Sequence, residues 1–401
     1  MAISRMRRWT RRIAAALAVV LTLTAAVACQ STTTTGVYTD YGTFGADFAQ
    51  KFASDVPFRK AFSAEEGKAA DAIVAELKSL GFSPTTQDFD ESGKTATRGG
   101  AVPTSRNIFV KIRGTGFTST DPTSGASSVR RTVFLCAHYD TKLGTADEAA
   151  APGFDGIQDN SSGVAALMQA ARILKADATG YDVEIAFLGA GDDNQLGAST
   201  ALAAMNQTEV SAIDAVYCAE SIYAGDKLYA SAGWNSLVAN EKYAMRKKLY
   251  EATDVALNYS IDLRTNQAGF EYDLLGTGSP VILREVSTHR SDYSPFDAMG
   301  VPCVFFESFE FFGESIDALV ESKNPAFAST GGMIRGTAAD SSDTLSAVLD
   351  ATRLKTRVNQ VAFLLVKIVE RGIDGGIAPV TPLVVTSVPT PTVGPTPSPA
   401  A

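Results

Sequence analysis

The stretch Val133-Phe134-Leu135-Cys136-Ala137-His138-Tyr139-Asp140, answered by Asp159-Asn160-Ser161-Ser162-Gly163-Val164-Ala165-Ala166-Leu167, decides how this chain is read. Its first five residues are continuously apolar, which is the pattern of a strand covered on both faces in a parallel sheet. The run stops at an imidazole and a carboxylate. The second part opens on Asp159, a residue type that caps helices. From Gly163 to Lys175 it then sets Val164, Leu167, Met168, Ala171 and Leu174 on one helical face.

Downstream, the same alternation repeats. Asp182 to Leu188 reads as a strand, Leu196 to Met205 as a helix, Ile213 to Ala219 as a strand, Val301 to Glu307 as a further apolar strand, and Leu345 to Glu370 as closing helical sequence. Upstream, the pattern from Asp47 to Leu80 is helical: Ser63 offers an N-cap, Ala69, Ile73, Leu77 and Leu80 recur at helical spacing, and Gly81 ends the element. A strand is expected over 107–113. The Gly, Ser and Thr-rich segment 114–128 reads as a loop. Strands alternating with helices predict an α/β three-layer sandwich, a mostly parallel central sheet with helices on both faces.

The ends of the chain are of another kind. Arg5, Arg7, Arg8, Arg11 and Arg12 precede an apolar run from Ile13 to Val27, too short to span a bilayer comfortably, which is the plan of a secretory signal. The run closes in Ala26-Val27-Ala28-Cys29, which resembles a bacterial lipoprotein processing box. Residues 1–28 are therefore expected to be a lipoprotein signal peptide and Cys29 to be the lipidation site of an exported protein held at the bacterial cell surface. Residues 29–46 are expected to be anchor and tether, 47–377 the globular domain, and 378–401, rich in Pro, Thr, Ser and Val, a disordered tail.

A formal net charge of -9 argues against nucleic acid as a partner, since phosphate binding needs a basic footprint. Beyond Cys29, the three cysteines Cys136, Cys218 and Cys303 each lie in an apolar run, so buried free thiols are expected rather than a disulfide framework.

In open α/β sheets, ligand sites form beyond the carboxyl ends of the strands. His138 and Asp140 follow one expected strand, Asp192 and Asp193 the next, and Glu220 the third, with Asp159 at the start of the intervening helix. Alone, Asp159 is an ordinary helix cap and His138 a structural residue. Together they form the imidazole and carboxylate set that zinc accepts, and Asp140 beside the histidine is placed as its orienting carboxylate.

Ala137-His138-Tyr139-Asp140, Pro152-Gly153 and the run from Asp159 to Leu167 closely resemble the signature of zinc-dependent aminopeptidases of the bacterial leucyl aminopeptidase type. Glutaminyl cyclases and the transferrin-receptor ectodomain share that fold, known as the zinc-exopeptidase (phosphorylase/hydrolase-like) fold. The resemblance runs from about Phe48 to Arg371. Ser291-Asp292-Tyr293-Ser294-Pro295-Phe296 with Gly300-Val301-Pro302 resembles a second landmark, with Tyr293 where a histidine is common.

The resemblance implies that two zinc ions share a bridging aspartate, here Asp159. His138 would hold the first metal, with Glu220 in place of the family's aspartate. At Phe187-Leu188-Gly189-Ala190-Gly191-Asp192, Gly191 stands where the general base belongs and Asp192 where the second metal's glutamate belongs. A register shift of one would instead make Asp192 the base and Asp193 the ligand. The family's last ligand is a histidine, and the matching segment Ile334 to Leu345 has none. The remaining imidazole, His289, is a solvated loop residue, a relocated ligand or an oxyanion donor.

One zinc is thus expected. Three functions are compatible with this site. The first is a cell-surface metallo-aminopeptidase that removes N-terminal residues from peptides with rearranged groups, Asp192 or Asp193 acting as base. The second is a pseudoenzyme that keeps one metal and binds a peptide or another protein. The third is a glutaminyl cyclase, which the missing histidine disfavours. The loop residues between Lys227 and Arg290, on which peptide preference depends, match no pattern.

Overall fold

Among the described residues, two α-helices, not one, precede the first strand: α1 (Phe44–Asp55) and α2 (Ala64–Ser79). The expected helix over 47–80 breaks before Ser63, whose hydroxyl accepts the backbone N–H of Glu66 and starts α2 afresh. Because α1 begins at Phe44, the segment expected as tether already contains its first turn. There Gly45 lies so close to Val358 and Gln169 that a Cβ would stand 2.5 Å and 3.3 Å from their atoms.

The computed structural model describes residues 37–121, 125–144, 151–177, 179–239, 242–274 and 276–372. The expected signal peptide, Cys29 and the expected tail over 378–401 lie outside the described residues. The chain divides into two units, Met1–Asp40 and Tyr41–Ala401, and the sheet with its helices belongs wholly to the second.

After α2 come β1 (Thr85–Phe89), β2 (Ser105–Ile112), β3 (Phe117–Asp121), β4 (Gly125–Val129) and β5 (Thr132–His138). β3 and β4 pair as an antiparallel two-stranded ribbon, which corrects the loop expected over 114–128. Then follow α3 (Ser162–Leu174), β6 (Asp182–Leu188), α4 (Leu196–Ala203), α5 (Gln207–Ala212), β7 (Ile213–Ala219), β8 (Lys227–Ala232), α6 (Asn235–Val238) and α7 (Lys242–Asn258). The chain continues through β9 (Leu263–Arg264), β10 (Phe270–Tyr272), β11 (Val281–Leu283), α8 (Ser294–Ala298), β12 (Cys303–Phe309), α9 (Ser342–Val348) and α10 (Arg353–Arg371).

The central sheet has eight strands in the order β1-β2-β6-β5-β7-β12-β8-β9. Its four middle strands, β6, β5, β7 and β12, run parallel, while β1, β2 and β8 join antiparallel. Each middle strand is a short apolar run buried along most of its length. α3 buries Val164, Leu167, Met168, Ala171 and Leu174, and α10 buries Leu354, Val358, Val361, Leu365 and Val369. The α/β architecture, a mostly parallel central sheet flanked by helices, is as expected. Its consequence for function is direct: β6, β5 and β7 are neighbours that end at one edge, so whatever follows Leu188, His138 and Ala219 meets there. Cys136, Cys218 and Cys303 are free and buried in this sheet. Among the described residues, no helix is long and apolar enough to cross a membrane.

Candidate metal centre

Asn160 ties the edge together. Its amide nitrogen donates to the carbonyls of His138 (3.2 Å) and Ala219 (3.0 Å), the last residue and the last residue respectively of β5 and β7. Its amide oxygen accepts the N–H groups of Gly163 (3.1 Å) and Ser221 (3.1 Å). This pins the start of α3 between two strand ends. Only a glycine fits at 163, since a Cβ there would stand 2.3 Å from the Ala219 carbonyl oxygen. Asp159, one residue earlier, is thereby delivered to the sheet edge.

There, the His138 Nε2 atom lies 3.5 Å from Asp159 Oδ1 and 3.6 Å from Glu220 Oε2. The three side chains are only 3%, 7% and 10% exposed, so bulk water does little to screen them. On the other side of the ring, Nδ1 lies 3.4 Å from Asp140 Oδ1. The buried Asp140 is itself fixed, accepting the N–H groups of Gly191 (2.7 Å) and Asp192 (3.1 Å). With its backbone carbonyl 3.3 Å from Nδ1 as well, Asp140 lies where the sequence placed an orienting residue for the ring.

Burial alone would lower the His138 pKa, but the carboxylates of Asp140, Asp159 and Glu220 outweigh it and hold the imidazole well above its ordinary range. Asp159 is held at about 2: burial raises it, and His138, Arg335 and the Ser221 hydroxyl, which donates at 2.8 Å, pull it down. Its backbone N–H donates to Asp340 (3.0 Å), as does that of Gln158 (2.7 Å).

Glu220 is held from both sides. Ser291 Oγ donates to its Oε2, and Arg335 Nη1 donates to its Oε1 at 2.9 Å. Arg335 also reaches Glu307 (Nη2, 3.3 Å) and Glu321 (Nε, 3.2 Å). These contacts overcome the lowering effect of burial and raise its already high pKa further.

The other expected site residues separate. Asp192 faces the centre: its pKa is pushed well up, first by burial and then by Asp159, and its Oδ2 is buried with no hydrogen-bond partner. Asp193 is exposed, and its Oδ1 accepts only a long 3.5 Å bond from Asn194, so it is not brought to His138. His289 is not a ligand of this cluster either. Its Nδ1 lies 2.9 Å from Glu307, the ring packs edge-on against Phe309, and it reaches the centre only through Glu307 and Arg335. The physical reason is its partner: Glu307 of β12, fully buried, takes up Nδ1 of the ring.

Sequence reading missed Arg335, Ser221, Asp340 and Glu307. Ser221 carried a local signal, standing next to Glu220 at a strand end, as did Glu307 at the end of an expected strand. Asp292, inside the second landmark, is buried with neither carboxylate oxygen hydrogen-bonded, and burial pushes its pKa up to about 7.

The donors fit a divalent cation. His138, Asp159 and Glu220 each offer a ligand atom, all within 4.8 Å of one another, and two ligand atoms of a tetrahedral zinc site stand about 3.3 Å apart. The buried Asp192 and Asp292 oxygens that lack partners add negative charge that a cation would balance. His138, Asp140 and Asp192 form a second group of this kind, but it draws on the same imidazole.

Residues 121–318 match the model of peptidase family M28. The alkaline phosphatase isozyme conversion protein of Escherichia coli is 24% identical over 292 residues, which cover 71% of this chain and 78% of that protein. Similar solved structures include a zinc aminopeptidase from Bacillus subtilis, with 13% identity and a TM-score of 0.54 over 83% of this chain and 96% of that one. A glutaminyl cyclase from an Acidobacteriales bacterium matches with 18% identity and a TM-score of 0.56 over 83% and 96%. A leucine aminopeptidase precursor from Bacteroides thetaiotaomicron matches with 16% identity and a TM-score of 0.52 over 82% and 96%. At these identities the likeness to the solved structures is one of fold.

Proposed function

We propose, from the premise that this chain carries a peptidase family M28 domain, that it is a metal-dependent exopeptidase removing N-terminal residues from peptides with a single zinc ion. The observation that carries this reading is the convergence of His138, Asp159 and Glu220 at adjacent strand ends. Zinc held by these residues would supply Lewis-acid chemistry, polarising a carbonyl and acidifying water.

The chain's own groups have separate tasks in this reading. Asp140 holds the imidazole through Nδ1, leaving Nε2 to face the ligand pocket. Ser221 and the backbone contact to Asp340 fix Asp159. Gly191 has no side chain to act as base, so Asp192, with an unpartnered oxygen beside Asp159, is the acceptor for the proton of attacking water. The signal-like residues 1–28 and Cys29 support export and a lipid anchor, which would place the site among peptides outside the cell.

One observation favours a second reading. The position of the family's base is filled by His138, against which Gly191 packs, so the lost base is built into the fold. A pseudoenzyme that binds a peptide or protein would need nothing more.

The test is a panel of aminoacyl anilides, short peptides and N-terminal glutaminyl peptides, assayed with zinc, cobalt or manganese. Metal-dependent release of N-terminal residues, lost in His138→Ala, is the expected result. No turnover above blank with peptide binding retained supports the pseudoenzyme, and conversion of the glutaminyl peptides alone supports a cyclase.

A further inference from the structure

Arg335 brings a permanent positive charge into the centre, and its three nitrogen-bearing arms each meet a different carboxylate: Glu220 at 2.9 Å, Glu307 at 3.3 Å and Glu321 at 3.2 Å. Two of those carboxylates are themselves immobile. Glu321 is fully buried and accepts the N–H groups of Ile334 and Arg335 and, at 3.0 Å, the amide of Gln158. Glu307 is fully buried and is held by Ser287 and His289. A planar guanidinium clamped on three sides cannot swing away. Its charge acts on Asp159 as well as Glu220, two of the three groups around the candidate cation.

Glu220 is divided by this arrangement. One oxygen, Oε1, is taken by Arg335, while Oε2, which also accepts the Ser291 hydroxyl, is turned toward His138 Nε2 and keeps a second lone pair for a cation. We propose that Arg335 stands in for a second metal ion: it is a positioning residue that fixes one oxygen of Glu220, leaves the other for a cation, and by its charge limits the centre to one divalent ion per chain. The proposal rests on the single-metal reading above. It explains why the segment Ile334 to Leu345 has no need of a histidine.

The full mature chain, stripped of metal with a chelator, is titrated with cobalt(II) alone. Calorimetry counts the ions and the visible spectrum reports their coordination. The wild type is expected to saturate at one ion per chain. Arg335→Lys, which keeps the charge, stays at one. Arg335→Gln leaves three buried carboxylates without their counter-ion and takes up a second. Two ions in the wild type or in Arg335→Lys overturn the proposal, as does a folded Arg335→Gln that still stops at one. Should Arg335→Gln not fold without metal, refolding it in cobalt gives the same count, and the lysine variant decides independently. Absence of any cobalt in the wild type overturns the metal centre itself, whereas a count of two overturns only the role of Arg335.

Discussion

His138 lies across Gly191 so closely that a Cβ on the glycine would stand 2.2 Å from the histidine's own Cβ and 2.6 Å from its Cγ. At Gly191, the position that the resemblance aligns with a general base, there is therefore no room for a side chain. Gly191→Glu is expected to restore no activity. It should displace His138, abolish bound metal and destabilise the fold by about 1–3 kcal/mol or more, the usual cost of overpacking. Metal content and thermal melting of the variant check this, and an active, zinc-loaded Gly191→Glu would refute it.

Removing the imidazole should be more damaging to the cation than removing its support. His138→Ala is expected to carry no zinc after dialysis, while Asp140→Asn, which keeps the ring but weakens its orientation, should bind roughly 10- to 100-fold more weakly. Competition against a chromophoric chelator separates the two. Equal affinities in wild type and His138→Ala would remove the centre.

Cation binding should depend on pH in a defined direction. In the absence of metal, His138 holds a proton well above its ordinary pKa because Asp140, Asp159 and Glu220 outweigh the effect of burial. That proton must leave before Nε2 can bind metal, so affinity rises with pH across the neutral range and binding releases a proton. Titration calorimetry at pH 6, 7 and 8, in buffers of different ionisation enthalpy, measures both. A flat profile without proton release contradicts the assignment of His138 as ligand.

Stability should carry a separate pH signature from Asp297, which belongs to neither candidate ligand group. Burial pushes its carboxyl up to about 7, although Oδ2 accepts the Asn235 N–H at 2.7 Å. A carboxyl whose folded pKa lies above its unfolded value binds the proton more tightly when folded. Its contribution is complete below about pH 4 and is lost as pH rises toward 7, on the order of a few kcal/mol in all. Asp297→Asn keeps an acceptor for the N–H but cannot ionise. Its melting temperature relative to wild type is expected to rise between pH 5 and 8, and a constant difference would disprove the link.

The amide of Asn160 should matter as much to the site as to the fold. Asn160→Ala removes four buried hydrogen bonds that join β5, β7 and the start of α3. A loss of roughly 3 kcal/mol is expected, from partners left unsatisfied, together with weaker zinc binding as Asp159 loses its fixed position. Denaturant unfolding of the metal-free protein isolates the first effect, and a loss below about 1 kcal/mol would show that water replaces the amide.

The amino-acid order by itself determined the strands β5, β6 and β7, because a short apolar run with polar ends has few other places to go than the middle of a sheet. It likewise placed His138 and Glu220 at the sheet's edge, since residues at strand ends inherit the strands' positions, whereas Asp159 is brought there by the hydrogen bonds of Asn160. The polar ribbon of β3 and β4 was hidden, because a backbone ladder needs no apolar periodicity. Arg335 was hidden for a different reason: it sits in an irregular segment, 115 residues from the Glu220 it holds. Which of two adjacent aspartates faces the centre was also settled in three dimensions. Asp140 captures the N–H groups of Gly191 and Asp192, and that grip turns Asp192 inward while Asp193 is left in solvent. Local sequence sets what each strand end carries, but charge balance in a buried pocket is struck among groups from distant parts of the chain, and only the folded structure brings them together.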